Sequence, residues 1–172
     1  ATLRVTANLF DVASLQEQYN KIKAHGLHSI GTVGELYQSV EGSVKFRPNA
    51  EKKAVTRFPH RKEDSNTGAI VLYETQYRNS TGNVPVNLYV LCHDPYGQSQ
   101  AADSTSLGAS YVIKRPNNLS QPDDMIVASY VGRPDTSDEY NRNLFMLADY
   151  YGCKIGFEND RGEVIPYAKR HR

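Results

Sequence analysis

The chain has 172 residues, of which 39% are hydrophobic and 23% are charged, and its formal net charge is +1. This length suits one domain, with or without an arm, and the near-neutral balance excludes a protein that attracts nucleic acid through an overall basic field. No apolar stretch approaches the roughly 18 residues that a membrane-spanning helix needs, so we expect no membrane partner.

Residues 1–66 are interpreted as an N-terminal arm or linker region. Residues 11–24 predict a short helix that Gly26 ends, because four apolar side chains share one face: Val12, Leu15, Tyr19 and Ile22. Residues 47–66 are polar and contain two prolines, which predicts an exposed connector. We therefore divide the chain into this region and a folded domain at residues 67–172.

Strand patterns begin after residue 67. A first candidate lies at residues 69–73, and three more follow with polar loops between them, at residues 87–93, 108–114 and 124–131. The near-continuous apolar run at residues 87–93 is typical of a strand at the centre of a sheet. Short loops favour antiparallel pairing among the last three strands.

A helix and a fourth strand are predicted next. Residues 135–137 open the helix, with Ser137 as its cap and Glu139 in the first turn, and Gly152 ends it. Its apolar stripe consists of Tyr140, Leu144, Leu147, Ala148 and Tyr151. The fourth strand lies at residues 154–158. Three antiparallel strands, a crossover helix and a parallel fourth strand open the ribonuclease H-like architecture, a mixed α/β sheet in which the first and fourth strands are neighbours.

Two of these strands end on an acid that is followed by a turn. Asp94 ends the strand that begins near residue 88, and Glu158 ends the fourth strand. Adjacent first and fourth strands would bring both acids to one edge of the sheet, where carboxylate oxygens suit a hard divalent cation. The pattern predicts a metal-dependent site that cleaves phosphodiester bonds. The alternative for Asp94 is a side chain that bonds the backbone of a turn at Pro95.

Two further acids are candidate metal ligands. Asp160 follows Glu158 by two residues and would share its side of an extended strand, although we favour a place in the turn at residues 159–162. Asp103 lies in the loop after the first of the three hairpin-linked strands, where it would approach a second ion through water.

Three other side chains in these strands receive structural interpretations. His93 should point to the face opposite Asp94, so we expect it to pack rather than to act in catalysis. Cys92 and Cys153 lack the spacing of a zinc site, and we expect buried, reduced thiols rather than a disulfide.

Basic residues offer local contacts with DNA. Lys114, Arg115 and Arg133 lie at the ends of predicted strands, and Lys169 and Arg170 belong to a basic cluster near the C-terminus. Contacts of this kind with phosphates would be independent of sequence and sensitive to salt. A solvated surface is an equal alternative for each of them.

The order of these motifs resembles the nuclease domain of the large terminase subunit of tailed phages or prophages, from about Gly68 to the end. The resemblance rests on four segments: His93 to Gly97, Asp103 to Ile113, Ile126 to Pro134, and Ala148 to Gly162. The chain lacks the phosphate-loop motif Gly-x-x-x-x-Gly-Lys-Ser/Thr, so an ATPase motor domain would lie elsewhere in the same parent protein. The family's third catalytic acid comes well after the second, so we expect a C-terminally truncated domain without it.

The resemblance implies an endodeoxyribonuclease that cuts concatemeric double-stranded viral DNA with two Mg²⁺ or Mn²⁺ ions. Asp94 would be shared by both ions, and Glu158 would hold one ion and help to orient the attacking water. The implied partners are the terminase small subunit, the portal protein and the motor domain, in the cytoplasm of the bacterial host. Without the third acid, an inactive fragment is an expected outcome.

Two other interpretations stay open. The first is another ribonuclease H-like nuclease, such as a resolvase or an integrase-like enzyme. The second is a non-catalytic module that docks DNA or the portal, with its acids as surface charges. An enzyme requires Asp94 and Glu158 to lie within reach of one ion, whereas a docking module requires no convergence.

Overall fold

The computed structural model describes residues 11–25, 30–57, 59, 65–97, 106–159 and 163–171. Helices and strands follow one another in these ranges as α1 (Val12–His25), β1 (Thr32–Gln38), β2 (Val44–Pro48), β3 (Ala69–Leu72), β4 (Tyr89–Asp94), β5 (Gly108–Lys114), β6 (Met125–Gly132), α2 (Ser137–Tyr151), β7 (Lys154–Phe157) and α3 (Val164–His171).

The described strands form one mixed sheet of seven strands in the order β2-β1-β3-β6-β5-β4-β7. Every neighbouring pair is antiparallel except β4 and β7, which are parallel. The predicted series of three antiparallel strands, a helix and a parallel strand is confirmed as β4, β5, β6, α2 and β7. The protein is therefore a mixed α/β structure in which β4 and β7 are neighbours.

The first 66 residues contribute more regular structure than the sequence indicated. Strands β1 and β2 pair as an antiparallel hairpin, and β1 joins the sheet beside β3. All four residues of β3 are buried, and pairing with β1 provides hydrogen-bond partners for backbone N–H and C=O groups that an uncovered edge of β3 would leave unpaired. Gly34 permits the close pairing, because a Cβ there would collide with the Arg47 carbonyl oxygen. The division of the chain at residue 66 stays a prediction.

Helix α2 packs across one face of the sheet and supplies much of its core. The whole predicted stripe is buried, as Tyr140, Leu144, Leu147, Ala148 and Tyr151. The cap, however, is Thr136 rather than Ser137, since the Thr136 Oγ1 accepts a hydrogen bond of 3.1 Å from the Glu139 amide. Gly152 ends the helix with φ +59°, a left-handed conformation that glycine adopts without steric cost.

Helix α1 confirms the helix predicted near the N-terminus, but it has no buried residue. Its apolar stripe is largely exposed, and the Ile22 side chain is half-buried. Across the described residues, neither α1 nor any other helix combines the length and the apolar character that crossing a bilayer requires.

Candidate metal centre

The two predicted acids lie at the same edge of the sheet. In the parallel pair of β4 and β7, His93 is opposite Phe157. Asp94 directly follows His93, and Glu158 directly follows Phe157. The two acids therefore lie side by side at the ends of the two strands. Both are exposed. The neighbouring strands are joined through α2, and this crossover is what brings together two acids that are distant in sequence.

Alternation along β4 decides which face each side chain uses. Leu91 and His93 are buried on the face that α2 covers, whereas Cys92 and Asp94 are exposed. The expectation that His93 points away from Asp94 is therefore confirmed. The expectation of a buried Cys92 was wrong, because Cys92 shares the open face with Asp94.

Asp94 and Glu158 line one open cleft of about 420 Å³ on this face. Its other walls come from the three strands around them: Cys92, His93, Ala109, Tyr111, Gly156 and Phe157. A larger cleft of about 530 Å³ lies between β1, α2 and α3. We place the candidate site in the smaller cleft, because the paired strand-end carboxylates lie there and not in the larger one.

His93 anchors the tip of β4 from beneath. Its Nδ1 lies 3.0 Å from the Ser110 Oγ, which in turn lies 2.9 Å from the Tyr140 hydroxyl of α2. The imidazole also stacks on the Tyr140 ring, with 5.2 Å between centroids. Burial lowers the pKa of His93, so the neutral ring is favoured in this network. No signal in the sequence marks Ser110 or Tyr140 as a support for the strand that carries Asp94.

The carboxylate oxygens of Asp94 and Glu158 are accessible to a cation among the described residues. Among the described residues, neither Asp94 nor Glu158 forms a hydrogen bond or an ion pair with a protein group. The hydrogen bond that the turn interpretation of Asp94 would require is likewise not formed within residues 94–97. Two carboxylates with free oxygens fit Mg²⁺ or Mn²⁺, since Mg²⁺ is commonly held by one or two carboxylates and keeps several waters.

A third protein ligand is not found in the described part of the chain. No group of three or more His, Cys, Asp or Glu side chains there is arranged to hold a metal ion. Asp160 and Asp103, the other predicted metal ligands, lie outside the described residues. The described centre therefore consists of Asp94 and Glu158 alone.

Lys114 is not available to bind DNA, contrary to the sequence-based prediction. Its side chain is 0% exposed, and its ammonium donates hydrogen bonds of 2.6 and 2.9 Å to the two oxygens of the Glu74 carboxylate. Lys114 lies on the same face of β5 as the buried residues Ser110 and Val112. The sequence alone does not indicate this burial, because Ala109, Tyr111 and Ile113 make the opposite face of β5 the more apolar one.

Arg133 has partners within the protein. It donates a 2.9 Å hydrogen bond to the Ser106 carbonyl oxygen, and its guanidinium lies 4.9 Å from the centroid of the Tyr96 ring. These contacts join the strand exit after β6 to the two ends of the segment between β4 and β5. A structural role thus accounts for Arg133.

The other three predicted DNA contacts are exposed. Arg115 follows β5, while Lys169 and Arg170 lie on α3. Arg170 forms a 2.6 Å ion pair with Asp138 at the start of α2, so part of its charge is neutralised. Arg115 and Lys169 remain predicted phosphate contacts.

The two cysteines are free thiols, as expected. Burial raises the pKa of Cys153 to about 12, so this thiol is protonated and unreactive at neutral pH. Neither thiol forms part of a described metal cluster.

Comparison of the chain with protein-family models, with curated proteins and with solved structures found no match.

Proposed function

We propose that this chain is a ribonuclease H-like endonuclease domain of a viral or prophage terminase large subunit. The observation that carries the proposal is the position of Asp94 and Glu158, which follow adjacent parallel strands at one edge of the sheet and line one cleft. Convergence of two strand-end carboxylates is what an enzyme requires and a docking module does not. The resemblance of the motif order adds the terminase assignment.

In such a site, two residues would bind the metal ion and three others would hold the strand that carries one of them. Asp94 and Glu158 would hold Mg²⁺ or Mn²⁺, which supplies charge neutralisation at a scissile phosphate and a more acidic water. Asp94 ends the inner strand β4 and pairs with Ala109 of β5, and the pairing of β4 with β7 extends to the preceding residue, His93. His93, Ser110 and Tyr140 hold the tip of β4 against α2, which restricts the position of the backbone that carries Asp94.

The substrate in this proposal is concatemeric double-stranded DNA, in the cytoplasm of a bacterial host. The terminase small subunit, the portal protein and an ATPase motor domain of the same parent protein are the proposed partners. Arg115 and Lys169 are the exposed cations proposed to contact phosphates. Such contacts would make DNA binding weaken as the salt concentration rises.

Metal binding tests the proposal directly. The wild-type protein should bind Mn²⁺ in a titration. Binding is measured as the loss of the electron paramagnetic resonance signal of the free ion. Asp94→Asn and Glu158→Gln should each abolish that binding at concentrations that saturate the wild type, because each removes a charged oxygen ligand. Asp124→Asn is the matched control, since Asp124 is exposed and its φ of +53° is also tolerated by asparagine.

A wild-type protein that binds no Mn²⁺, or variants that bind as the wild type does, would contradict the enzyme proposal. Cleavage of a linear duplex should then be compared with cleavage of a four-way junction. Preference for the junction would favour a resolvase over a terminase nuclease.

A docking module is the second candidate function. It is favoured by one observation: the described residues provide two metal-ligand candidates rather than three. This alternative predicts DNA binding that is the same with Mg²⁺ and with a chelator. It also predicts that Asp94→Asn leaves DNA binding unchanged or strengthens it, because a negative charge is removed near phosphates.

A further inference from the structure

The open face beside the carboxylates has a regular arrangement that follows from the strand registers. Asp94 is opposite Ala109 on β5, and Cys92 is opposite Tyr111. On the other side of β4, Cys92 is opposite Gly156. The face therefore carries two rows across β7, β4 and β5. We call them the carboxylate row (Glu158, Asp94 and Ala109) and the floor row (Gly156, Cys92 and Tyr111).

The two rows are close enough to contact one ligand. Neighbouring strands lie roughly 5 Å apart and alternate residues of one strand roughly 7 Å apart, so the Cα atoms of Tyr111 and Asp94 are separated by about 9 Å. Tyr111 is 38% exposed although it lies in a strand away from the sheet edges. Its ring thus forms a wall of the cleft that contains both acids.

Gly156 is a glycine that the fold itself does not require. A Cβ at Gly34, Gly108 or Gly132 would collide with neighbouring backbone or with an aromatic ring, so packing explains those glycines. At Gly156 the nearest atom to a Cβ would be the Leu91 carbonyl oxygen at 3.9 Å, and its φ is not positive. Glycine weakens a strand and often occurs at a bulge, at a tight bend, or where a ligand or another backbone approaches closely. No bulge interrupts the pairing of β7 with β4, and no backbone atom of another strand comes closer than 3.9 Å to a Cβ at Gly156, so we interpret this glycine as a point of ligand approach.

We propose that the floor row is a nucleotide-binding subsite, in which a nucleotide next to the scissile phosphate packs on the Gly156 backbone and against the Tyr111 ring. This inference rests on the proposed function, since it is the proposed nuclease activity at the carboxylate row that makes the ligand part of a DNA strand. An aromatic ring offers contact to any base or sugar, so the subsite would place the strand without reading its sequence.

Two substitutions test the subsite in opposite ways. Tyr111→Ala removes the wall, and Gly156→Val fills the floor with a side chain that suits a strand. Binding of a fluorescein-labelled DNA duplex, measured by fluorescence anisotropy, should weaken about tenfold or more in both variants. Tyr111→Phe keeps the ring and should stay within about twofold of the wild type.

Controls separate binding from folding. Tyr37→Ala is matched in exposure, at 39%, but Tyr37 lines the cleft between β1, α2 and α3, so DNA binding should be unchanged. Gly156→Val should unfold at the same or a higher urea concentration than the wild type, because valine favours an extended backbone. Both floor-row variants should bind Mn²⁺ as the wild type does, since their carboxylates are intact.

The outcomes distinguish this inference from the proposed function. Wild-type binding of Mn²⁺ and DNA, together with DNA affinities of Tyr111→Ala and Gly156→Val that match the wild type, would overturn the subsite alone. A wild-type protein that binds neither Mn²⁺ nor DNA would overturn both proposals. Weaker DNA binding in the two floor-row variants, with normal Mn²⁺ binding and normal stability, would support the subsite.

Discussion

At the scale of single residues, the side of the sheet on which a charge lies determines what it does. Asp94 faces the open side of β4 and forms no hydrogen bond or ion pair with a described residue, so its carboxylate oxygens are available to a cation. Lys114 faces the α2 side of β5 and is fully buried against Glu74. A buried ammonium is tolerated only with a charged and hydrogen-bonded partner, so Lys114 and Glu74 act as one structural unit.

Removal of the Glu74 carboxylate should therefore cost more stability than removal of the Lys114 charge. We expect Glu74→Ala to lower the free energy of unfolding by about 3 kcal/mol, because it leaves a buried ammonium unpaired. Lys114→Met should cost about 1 kcal/mol or less, because the remaining carboxylate is partly exposed and the apolar chain still fills its site. Urea unfolding of the two variants gives the comparison.

Asp138→Ala, which breaks the exposed pair with Arg170, is the control and should cost about 1 kcal/mol or less. Equal losses for Glu74→Ala and Lys114→Met would show that the pair is not a buried charge unit.

At the scale of elements, α2 connects the sheet to the site. Its Tyr140 contacts His93 and Ser110 beneath the tip of β4, and its crossover places β7 beside β4. The helix has a start and a stop that depend on single residues, Thr136 and Gly152. The position of Tyr140 beneath the tip of β4 thus depends on where α2 begins.

Thr136→Ala should lower the free energy of unfolding by about 1 kcal/mol, because the Glu139 amide loses its only cap acceptor among the described residues. Ser137→Ala is the neighbouring control and should change stability by less than about 0.5 kcal/mol. Thermal or urea unfolding of both variants measures the difference. A larger loss for Ser137→Ala would place the cap at the position that the sequence analysis predicted.

At the scale of the whole molecule, tyrosine supplies an unusual share of the core. The chain has 12 tyrosines and no tryptophan. Several tyrosine rings pack on one another between the sheet and α2, with Tyr130 and Tyr140 stacked at 4.6 Å between centroids. Burial raises the pKa of Tyr130 and of Tyr96 to about 12 and raises that of Tyr140 well above its ordinary value.

These shifts predict alkaline instability. Below pH about 10, the tyrosines are neutral in both states, so their contribution to stability is fully present. Above that pH the unfolded chain loses phenolic protons more readily than the folded protein, and stability falls until the folded pKa near 12 is passed. The ultraviolet absorbance of ionised tyrosine should rise near pH 10 for the urea-unfolded chain, and part of it should appear in the native protein only as it unfolds.

Tyr130→Phe should reduce the delayed part of that absorbance change by one tyrosine. A native titration that superimposes on that of the unfolded chain would show that these phenols are not protected. In that case the packing between α2 and the sheet would be looser than the structure indicates.

Much of the fold was predictable because its signals are local. The apolar run before Asp94, the helical stripe from Tyr140 to Tyr151 and the glycine at 152 each occupy a short stretch of chain. The hairpin of β1 and β2 was missed because it is short, polar on much of its surface and interrupted by Gly34. Its stability depends on β3, which lies more than twenty residues away from it along the chain.

The candidate site likewise combines residues that local sequence signals predicted with residues whose positions depend on distant strand pairing. Asp94 and Glu158 were identified because each ends an apolar strand, but the partner of Lys114 and the positions of Tyr111 and Gly156 required the strand registers. A register is set by packing between segments that are distant in sequence, and one step of slip exchanges the two faces of a strand.

The sequence by itself therefore determined the main elements of β4 to β7, the acids at their ends and the face of α2 that is buried. Only the tertiary structure decided that residues 32–48 extend the sheet, that Lys114 is buried with Glu74, and that Cys92 and Tyr111 share the open face with Asp94. The physical reason is that periodicity along a chain specifies local conformation and a buried face, whereas pairing across the sheet specifies which side chains meet.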